Sequence, residues 1–286
     1  MERKVLATGA GGMVGAYLPP DVIRTDLPEL DVADRAAVDA AIEEHRPDVV
    51  LHLAAETNVD RAEQQPDRAY LINAIGTQNV ALACARHGAE LVYVSSAQVF
   101  DGEKHDPYHE FDDVGPRTVY GRSKLAGEGF VRRLVPRHYV VRAGWMIGGG
   151  PSGEKKFIAK MLDHAERQGK IVAVDDKFGS PTRAQDLVGA VWALLDTGRY
   201  GTVHLVNPGA VTRLDIARLT RDVLDLPYEV EAVDSTRFPL PAPRGRSEVM
   251  DNLVLRLIGL DHLMPPWQEA VTEYLRREWV ASPQST

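Results

Sequence analysis

The stretch Val5-Leu6-Ala7-Thr8-Gly9-Ala10-Gly11-Gly12-Met13-Val14-Gly15 decides the fold. Its apolar start predicts a strand over 5–8, and glycines follow at positions 9, 12 and 15. Glycine permits the positive φ of a sharp turn, and it lets a phosphate approach the backbone without meeting a Cβ atom. A tight turn without a ligand would explain the glycines alone. Their place between a strand and a helix start favours a dinucleotide-binding loop, where helix N–H groups hold the pyrophosphate.

Short apolar runs alternate with longer helical patterns beyond this loop. Further strands are predicted at 22–25, 49–53, 91–95 and 139–142, and helices at 34–45, 67–87, 119–134 and 155–168. The apolar runs have no polar face, as in parallel strands that are covered on both sides. The alternation predicts an α/β fold with a doubly wound (Rossmann) parallel sheet. Pro19-Pro20 must end the first helix early, because proline lacks the backbone donor.

The pattern loosens after about residue 150, where glycine and proline stretches interrupt it. We expect a dinucleotide-binding domain over 1–150, rejoined by parts of 182–210. A smaller substrate-binding lobe is expected over 151–280. The segment 281–286 is expected to be a frayed tail.

Composition excludes several classes of protein. The 286 residues carry a net charge of -8, which disfavours an extended nucleic-acid surface. Cys84 is the only cysteine, so no disulfide can form within the chain. No apolar run approaches the ~20 residues of a membrane helix, and Met1 to Lys4 do not resemble a signal peptide. We therefore expect a soluble cytoplasmic protein without a membrane or nucleic-acid partner. The His105 and His109 loop is interpreted as solvated, and no metal is predicted.

An acidic residue follows the second predicted strand. A carboxylate at this place can bind the adenosine ribose of a dinucleotide, and Asp26 lies near the expected distance from the glycines. Asp26 favours NADH, because it would repel the 2′-phosphate of NADPH. Arg24 is near enough in sequence to reverse that preference, and a plain loop carboxylate is the alternative for Asp26.

Tyr120 and Lys124 are four residues apart at the start of a predicted helix, so they share one helix face. An ammonium beside the phenol would lower the phenol pKa from about 10 toward a useful range. Tyr-x-x-x-Lys alone is common in helices. Ser96, however, ends the strand 91–95, and ligands of open α/β sheets bind beyond such strand ends. The glycine loop, Ser96, Tyr120 and Lys124 together predict hydride-transfer chemistry on a carbonyl.

These residues resemble the extended short-chain dehydrogenase/reductases, within them the dTDP-4-dehydrorhamnose reductase branch. The resemblance runs over nearly the whole chain. It is carried by stretches with the branch's pattern: Arg46 to Val50, Ala54-Ala55, Val59 to Glu63, Asn73, Val99 to Gly102, Tyr120 to Glu128, Arg142 with Trp145, and Phe178 to Thr182.

The resemblance implies an NAD(P)H-dependent reductase of a nucleoside-diphosphate-linked 4-keto-6-deoxy sugar. It implies that Tyr120 is the general acid, that Lys124 hydrogen-bonds the nicotinamide ribose, and that Ser96 polarises the carbonyl. The predicted cofactor residues are Gly9, Gly11, Gly12, Met13, Val14, Gly15, Asp26, Asp31, Val32, Leu53, Ala54, Ala55, Asn73, Tyr120 and Lys124. The predicted substrate residues are Ser95, Ser96, Ala97, Gln98, Trp145 and Arg244. A homodimer through 67–87 and 119–134 is a further expectation.

Two departures from the branch point to a different keto-sugar. Ala97 and Gln98 stand where the branch has Asp-Tyr, and Arg244 to Glu248 replace its Arg-Pro-x-Asn-Ser element. Two other functions stay open. One is an epimerase or dehydratase with bound NAD, although Ala97 and Gln98 cannot supply an acid/base pair. The other is a non-catalytic, dinucleotide-binding regulatory subunit.

Overall fold

The computed structural model describes residues 3–280, and its centre is a six-stranded sheet. In chain order the strands are β1 (Val5–Thr8), β2 (Ile23–Thr25), β3 (Val49–His52), β4 (Glu90–Ser96), β5 (His138–Ala143), β6 (Trp145–Ile147), β7 (Lys170–Val174), β8 (Phe178–Gly179), β9 (Pro181–Arg183), β10 (Gly201–Leu205), β11 (Val211–Thr212), β12 (Glu229–Val233) and β13 (Ser247–Glu248). The central order is β10-β5-β4-β3-β1-β2, and all five pairings are parallel. The predicted doubly wound parallel sheet is confirmed.

The helices are α1 (Arg35–His45), α2 (Val59–Gln64), α3 (Pro66–Tyr70), α4 (Thr77–His87), α5 (Val119–Leu134), α6 (Gly150–Gly153), α7 (Phe157–Gln168), α8 (Ala184–Thr197), α9 (Arg213–Val223), α10 (Leu253–Leu257) and α11 (Trp267–Tyr274). Two π-helical segments extend α3 and α11, at Leu71–Gly76 and Leu275–Val280. The predicted short first helix is a single 3-10 turn, Val14–Tyr17. Side-chain caps fix the helix starts that matter most: Asp34 begins α1 and Thr118 begins α5.

Alternate residues of the central strands supply two hydrophobic clusters, one on each face of the sheet. Leu6, Val50 and Leu91 pack on one face with α1 and α4, whereas Leu51 and Val92 pack on the other with α8. Burying each such side chain contributes roughly 1.5–3 kcal/mol. Helices on both faces explain why these strands have no polar side.

Three small sheets lie over the carboxyl edge of the central sheet. Their orders are β11-β8-β13, β12-β7 and β6-β9. The segments that join their strands contact the loops that follow β3 and β4: the backbone N–H of Arg246 donates to Gly102 O at 2.9 Å, and the Lys156 ammonium lies 3.2 Å from Thr57 Oγ1. The chain returns to the central sheet between these excursions, where α8 leads into β10 beside β5. The substrate lobe predicted over 151–280 is therefore interleaved with the sheet.

No helix within residues 3–280 combines the length and apolar character needed to cross a bilayer. The predicted frayed segment 281–286 lies outside the described residues.

Candidate active site

The glycine loop lies at the carboxyl end of β1, against the loop after β3. Gly9 has φ +68°, and a Cβ there would lie 2.5 Å from the backbone of Ala54. A Cβ on Gly15 would lie 1.7 Å from Ala10 O, so both glycines are required by packing. Gly11 and Gly12 are exposed and form the outer surface of the turn. A Cβ on Gly12 would meet only Gly9 O, at 3.4 Å, and would project into the space beside the turn. The turn is therefore a cradle that a side chain would fill.

Asp26 follows β2 and contacts the same loop. Its Oδ2 accepts the N–H of Gly11 at 2.7 Å, and its Oδ1 accepts the N–H of Leu27 at 2.8 Å. The Arg24 guanidinium donates instead to Leu18 O at 2.8 Å. The carboxylate, rather than the arginine, therefore borders the glycine turn.

The other predicted cofactor residues surround this turn in different ways. Leu53, Ala54 and Ala55 are partly buried and directly follow β3, next to Gly9. Asp31 is exposed, whereas the Val32 side chain is buried in the core beneath Gly76. Only the backbone of Val32 can therefore face a ligand.

Ser96, Tyr120 and Lys124 meet at the carboxyl end of β4. Ser96 is the last residue of this strand, and Tyr120 and Lys124 lie one turn apart at the start of α5. The Ser96 hydroxyl is near enough to the Tyr120 phenol to lower its pKa. The Lys124 side chain is buried, with Nζ 4.2 Å from the centre of the Tyr93 ring. The predicted trio is thus brought to one place, beside the strand that precedes the loop of Gln98.

The pKa of Tyr120 changes in the direction opposite to the prediction. Burial raises it to about 12, the Ser96 hydroxyl partly offsets this, and the carboxylates of Glu248 and Glu56 raise it further. The predicted acidification by Lys124 is therefore wrong. The phenol is instead fully protonated at neutral pH, which is the form that can donate a proton.

Lys124 has an unusually low pKa for a lysine. Burial lowers it to about 7, and the carboxylate of Glu128 opposes this shift. The neighbouring His52 is buried as well; burial and then Lys124 lower its pKa to about 3. A neutral His52 lies between Thr8 and Thr77, at 2.7 and 3.1 Å from their hydroxyls. Burial therefore favours the neutral amine of Lys124 more than water would.

Two residues predicted to touch a ligand point elsewhere. Ser95 faces the side of β4 opposite Ser96, where its hydroxyl donates to Glu128 at 2.6 Å. Ala97 is 2% exposed and packs in a hydrophobic cluster with Val99. The substrate contacts predicted for Ser95 and Ala97 are therefore wrong, because strand alternation and core packing turn both side chains away from the site.

Asn73 also needs a correction, because its amide is used within the protein. It lies in the π-helical segment and is completely buried. Its Oδ1 accepts the N–H of Glu56 at 2.8 Å, and its Nδ2 donates to Glu56 O at 3.1 Å and to Ser123 Oγ at 2.9 Å. Asn73 thus joins the loop after β3 to α5, so the cofactor contact predicted for Asn73 cannot come from its side-chain amide.

Gln98 and Trp145 converge on Glu248, one of the positions at which this sequence departs from the related branch. Gln98 Nε2 donates to Glu248 Oε1 at 3.2 Å, and Trp145 Nε1 donates to Glu248 Oε2 at 2.9 Å. Gln98 Oε1 accepts the hydroxyl of Thr118, the cap of α5, at 3.0 Å. The Arg213 guanidinium lies 3.7 Å from the centre of the Trp145 ring. Trp145 is therefore both part of the packing and a half-buried wall of the site.

Arg244 lies in the same small cleft as Gln98 and Glu248. It pairs with Asp60 through both carboxylate oxygens, each at 2.9 Å. These hydrogen bonds are the first cause of the lowered pKa of Asp60. The guanidinium predicted to meet a diphosphate is present, and Asp60 holds it across the mouth of the site.

The comparisons with known proteins agree over nearly the whole chain. The family model described as RmlD substrate binding domain matches residues 3–279. The chain belongs to this family. The resemblance inferred from the motifs is thereby confirmed. A relative from Mycobacterium tuberculosis called dTDP-4-dehydrorhamnose reductase is 39% identical, with 96% of this chain and 93% of that protein covered.

Solved structures of RmlD-family proteins have the same fold. A dTDP-4-dehydrorhamnose reductase ortholog from Clostridium acetobutylicum has a TM-score of 0.91 and 37% identity, covering 96% of this chain and 98% of that one. A dTDP-4-dehydrorhamnose reductase from Bacillus anthracis in complex with NADP has a TM-score of 0.91 and 34% identity, covering 96% and 99%.

Proposed function

We propose that this RmlD-family protein is a reductase that uses NADH or NADPH to reduce the keto group of a nucleoside-diphosphate-linked 4-keto-6-deoxy sugar. The observation that carries the proposal is the meeting of Ser96, protonated Tyr120 and buried Lys124 beside a glycine cradle at one sheet edge. Relatives called dTDP-4-dehydrorhamnose reductase, one of them in complex with NADP, support the cofactor and substrate class.

The chain's own chemistry in this reaction is orientation and proton delivery. A bound reduced nicotinamide supplies the hydride. Ser96 polarises the carbonyl as it accepts the hydride, and the phenol of Tyr120 gives its proton to the new alkoxide oxygen. An alkoxide is more basic than a phenolate, so a phenol with a pKa of about 12 donates downhill. The phenolate regains a proton from solvent through the site, which completes the turnover.

The residues around the turn fit a dinucleotide. Gly11 and Gly12 would lie along the pyrophosphate, Asp26 along the adenosine ribose, and Leu53 to Ala55 along the path between them. Lys124 would donate to the nicotinamide ribose. In the cleft, Gln98, Trp145 and Arg244 would hold the nucleotide sugar.

Binding of the dinucleotide to the wild-type protein at about pH 8 is expected to take up part of a proton. Lys124 is mostly neutral there because its pKa is about 7, and hydrogen bonds to the ribose favour the ammonium form. The affinity should therefore fall as the pH rises above 7. Calorimetric titrations in buffers of different ionisation enthalpy measure the uptake. Lys124→Met should abolish it, whereas the exposed Lys155→Met should not; equal uptake in all three proteins would refute this role.

A preference for NADH over NADPH is expected from Asp26, because its carboxylate repels the 2′-phosphate and Arg24 is held by Leu18. Asp26→Asn should reduce the ratio of the KM for NADPH to the KM for NADH by about tenfold, a typical effect of one close charge pair near a surface. Steady-state KM values for both cofactors measure it, with the exposed Asp21→Asn as the control. A wild-type preference for NADPH that Asp26→Asn leaves unchanged would contradict the assignment.

A panel of dTDP- and UDP-linked 4-keto-6-deoxy sugars tests the proposal as a whole. We expect stoichiometric oxidation of NADH or NADPH with at least one of them. A sugar other than dehydrorhamnose is expected to be best, given Gln98 in the site. Turnover without added cofactor would favour the epimerase or dehydratase, and dinucleotide binding without turnover would favour the regulatory subunit. The cytoplasmic location and the homodimer stay predictions from the sequence.

A further inference from the structure

Glu248 is the carboxylate that the mechanism above does not use. It is held at the edge of the cleft by two donors, one on each oxygen: Gln98 Nε2 and Trp145 Nε1. The residue is half-buried and lines the cleft. A carboxylate has about four acceptor positions, and the two donors leave room for a further hydrogen bond.

The surroundings of Glu248 fix its orientation. Gln98 cannot rotate freely, because its other amide atom accepts the hydroxyl of Thr118. The indole of Trp145 is held against Arg213 at 3.7 Å. The carboxyl group is therefore preorganised by the loop after β4 and by β6, and the cap of α5 fixes Gln98 in turn. A group fixed in this manner loses little conformational freedom when a ligand binds.

Glu248 also lies within electrostatic reach of the reacting position. Its carboxylate is one of the charges that raise the pKa of the Tyr120 phenol. The Arg213 and Arg244 guanidinium groups act on Glu248 in turn, although burial has the larger effect and raises the pKa of Glu248. Hydrogen bonds also join Glu248 through Gln98 to Thr118, two residues before Tyr120, so the carboxyl group lies on the side of the cleft where α5 begins.

We propose that Glu248 is a specificity-determining residue that accepts a hydrogen bond from the C3 hydroxyl of the keto-sugar. This inference rests on the proposed function. Tyr120 must reach the oxygen on C4, and of the two ring carbons next to C4 only C3 bears a hydroxyl. Glu248 would accept a hydrogen bond from that hydroxyl, and Gln98 and Trp145 would hold Glu248 in place. A sugar without the C3 hydroxyl would leave the carboxyl group without its ligand donor.

The test compares the intact 4-keto-6-deoxy sugar nucleotide with its 3-deoxy and 2-deoxy analogues. In the wild-type protein, kcat/KM should be about 10- to 100-fold lower for the 3-deoxy analogue, as expected for a hydrogen bond to a charged group. In Glu248→Gln that ratio should shrink to about threefold or less, while the response to the 2-deoxy analogue stays the same. Glu229→Gln, an exposed change in β12, is the matched control.

Trp145→Phe tests the residue that holds Glu248 in place. It removes one hydrogen-bond donor to Glu248 and keeps an aromatic ring at the wall of the site. If the role of Glu248 is only structural, Glu248→Gln and Trp145→Phe will each lower kcat/KM equally for all three sugars. That result would overturn the proposal. An unchanged ratio in Glu248→Gln would overturn it too. Circular dichroism and the melting temperature establish that each variant is folded.

A binding measurement keeps this inference separate from the proposed function. Calorimetry compares dTDP-rhamnose with its 3-deoxy analogue on wild-type protein and Glu248→Gln, with no turnover needed. If the wild type reduces no keto-sugar, the reductase proposal fails. The C3 contact is then still supported by a preference for dTDP-rhamnose that Glu248→Gln abolishes. If the two proteins bind both ligands alike, the C3 contact is refuted, whether or not the wild type is a reductase.

Discussion

Tyr120→Phe is expected to lower kcat by about 10³-fold and to leave dinucleotide binding within a few-fold of the wild type. The reason is that general acid catalysis contributes typically ~10²–10⁴-fold, and the variant removes only the hydroxyl that delivers the proton. The ring keeps its packing at the start of α5. The measurement is oxidation of the reduced cofactor at saturating keto-sugar, together with a titration of cofactor affinity.

Tyr228→Phe is the matched control, since it deletes a phenol hydroxyl from a residue that packs beside β7 and α9. Its kcat should equal that of the wild type. More than about a tenth of the wild-type kcat in Tyr120→Phe would mean that another group donates the proton. In that case Glu248, whose pKa is raised by burial and whose charge acts on the phenol, would be the first to examine.

Arg142→Met is expected to cost about 3–5 kcal/mol of unfolding free energy, the usual result of removing one partner from a buried ion pair. Arg142 is 3% exposed and donates to both oxygens of the fully buried Glu128, at 3.0 and 2.9 Å. Burial alone would raise the pKa of Glu128, but hydrogen bonds from Arg142 and Ser95 hold it below its usual value. Urea unfolding measures the loss, which corresponds to a melting temperature lower by on the order of 10 °C.

Arg132→Met removes a second arginine that contacts the same carboxylate and is itself more exposed to solvent. Arg132 also donates to Glu128, at 2.7 Å, but it is 37% exposed, so its loss should cost less than about 1 kcal/mol. Because the pKa of Glu128 is lowered in the folded state, its contribution is complete above the unfolded value of about 4.3 and disappears as the pH falls through the folded value. Equal destabilisation by the two variants would show that burial does not set the energy of this pair.

Local patterns in the sequence were sufficient for the fold and for the catalytic trio. The glycine spacing, the apolar strands and Tyr120 with Lys124 each depend on neighbours within a few residues, and the structure brings them to one sheet edge. Even the short first helix follows from Pro19-Pro20. Periodicity also predicted the continuous helical stretch 67–87. It did not predict the π-helical turn inside this stretch, because such a turn has no local composition signal.

Long-range contacts account for what the sequence did not predict. Glu248 reaches Gln98 across 150 positions of the chain, and no spacing rule connects them. Ser95 and Ala97 were assigned to the ligand because they flank Ser96, yet strand alternation and a core cluster turn them away. The pKa of Tyr120 depends on the desolvation of the folded site, which outweighs the lysine that the motif places nearby. The one available signal for Glu248 was a carboxylate where the related branch has a serine.

The return of the chain to β10 limits how this protein can be divided or recombined. The small sheets are built from two separate stretches, one before α8 and one after β10. Exchanging only the small sheets with those of a relative therefore needs junctions before β6, before α8 and after β10 instead of a single splice near residue 150. A chain cut near residue 150 would lose α8 from one face of the sheet and leave β5 as a bare edge, open to pairing with another chain.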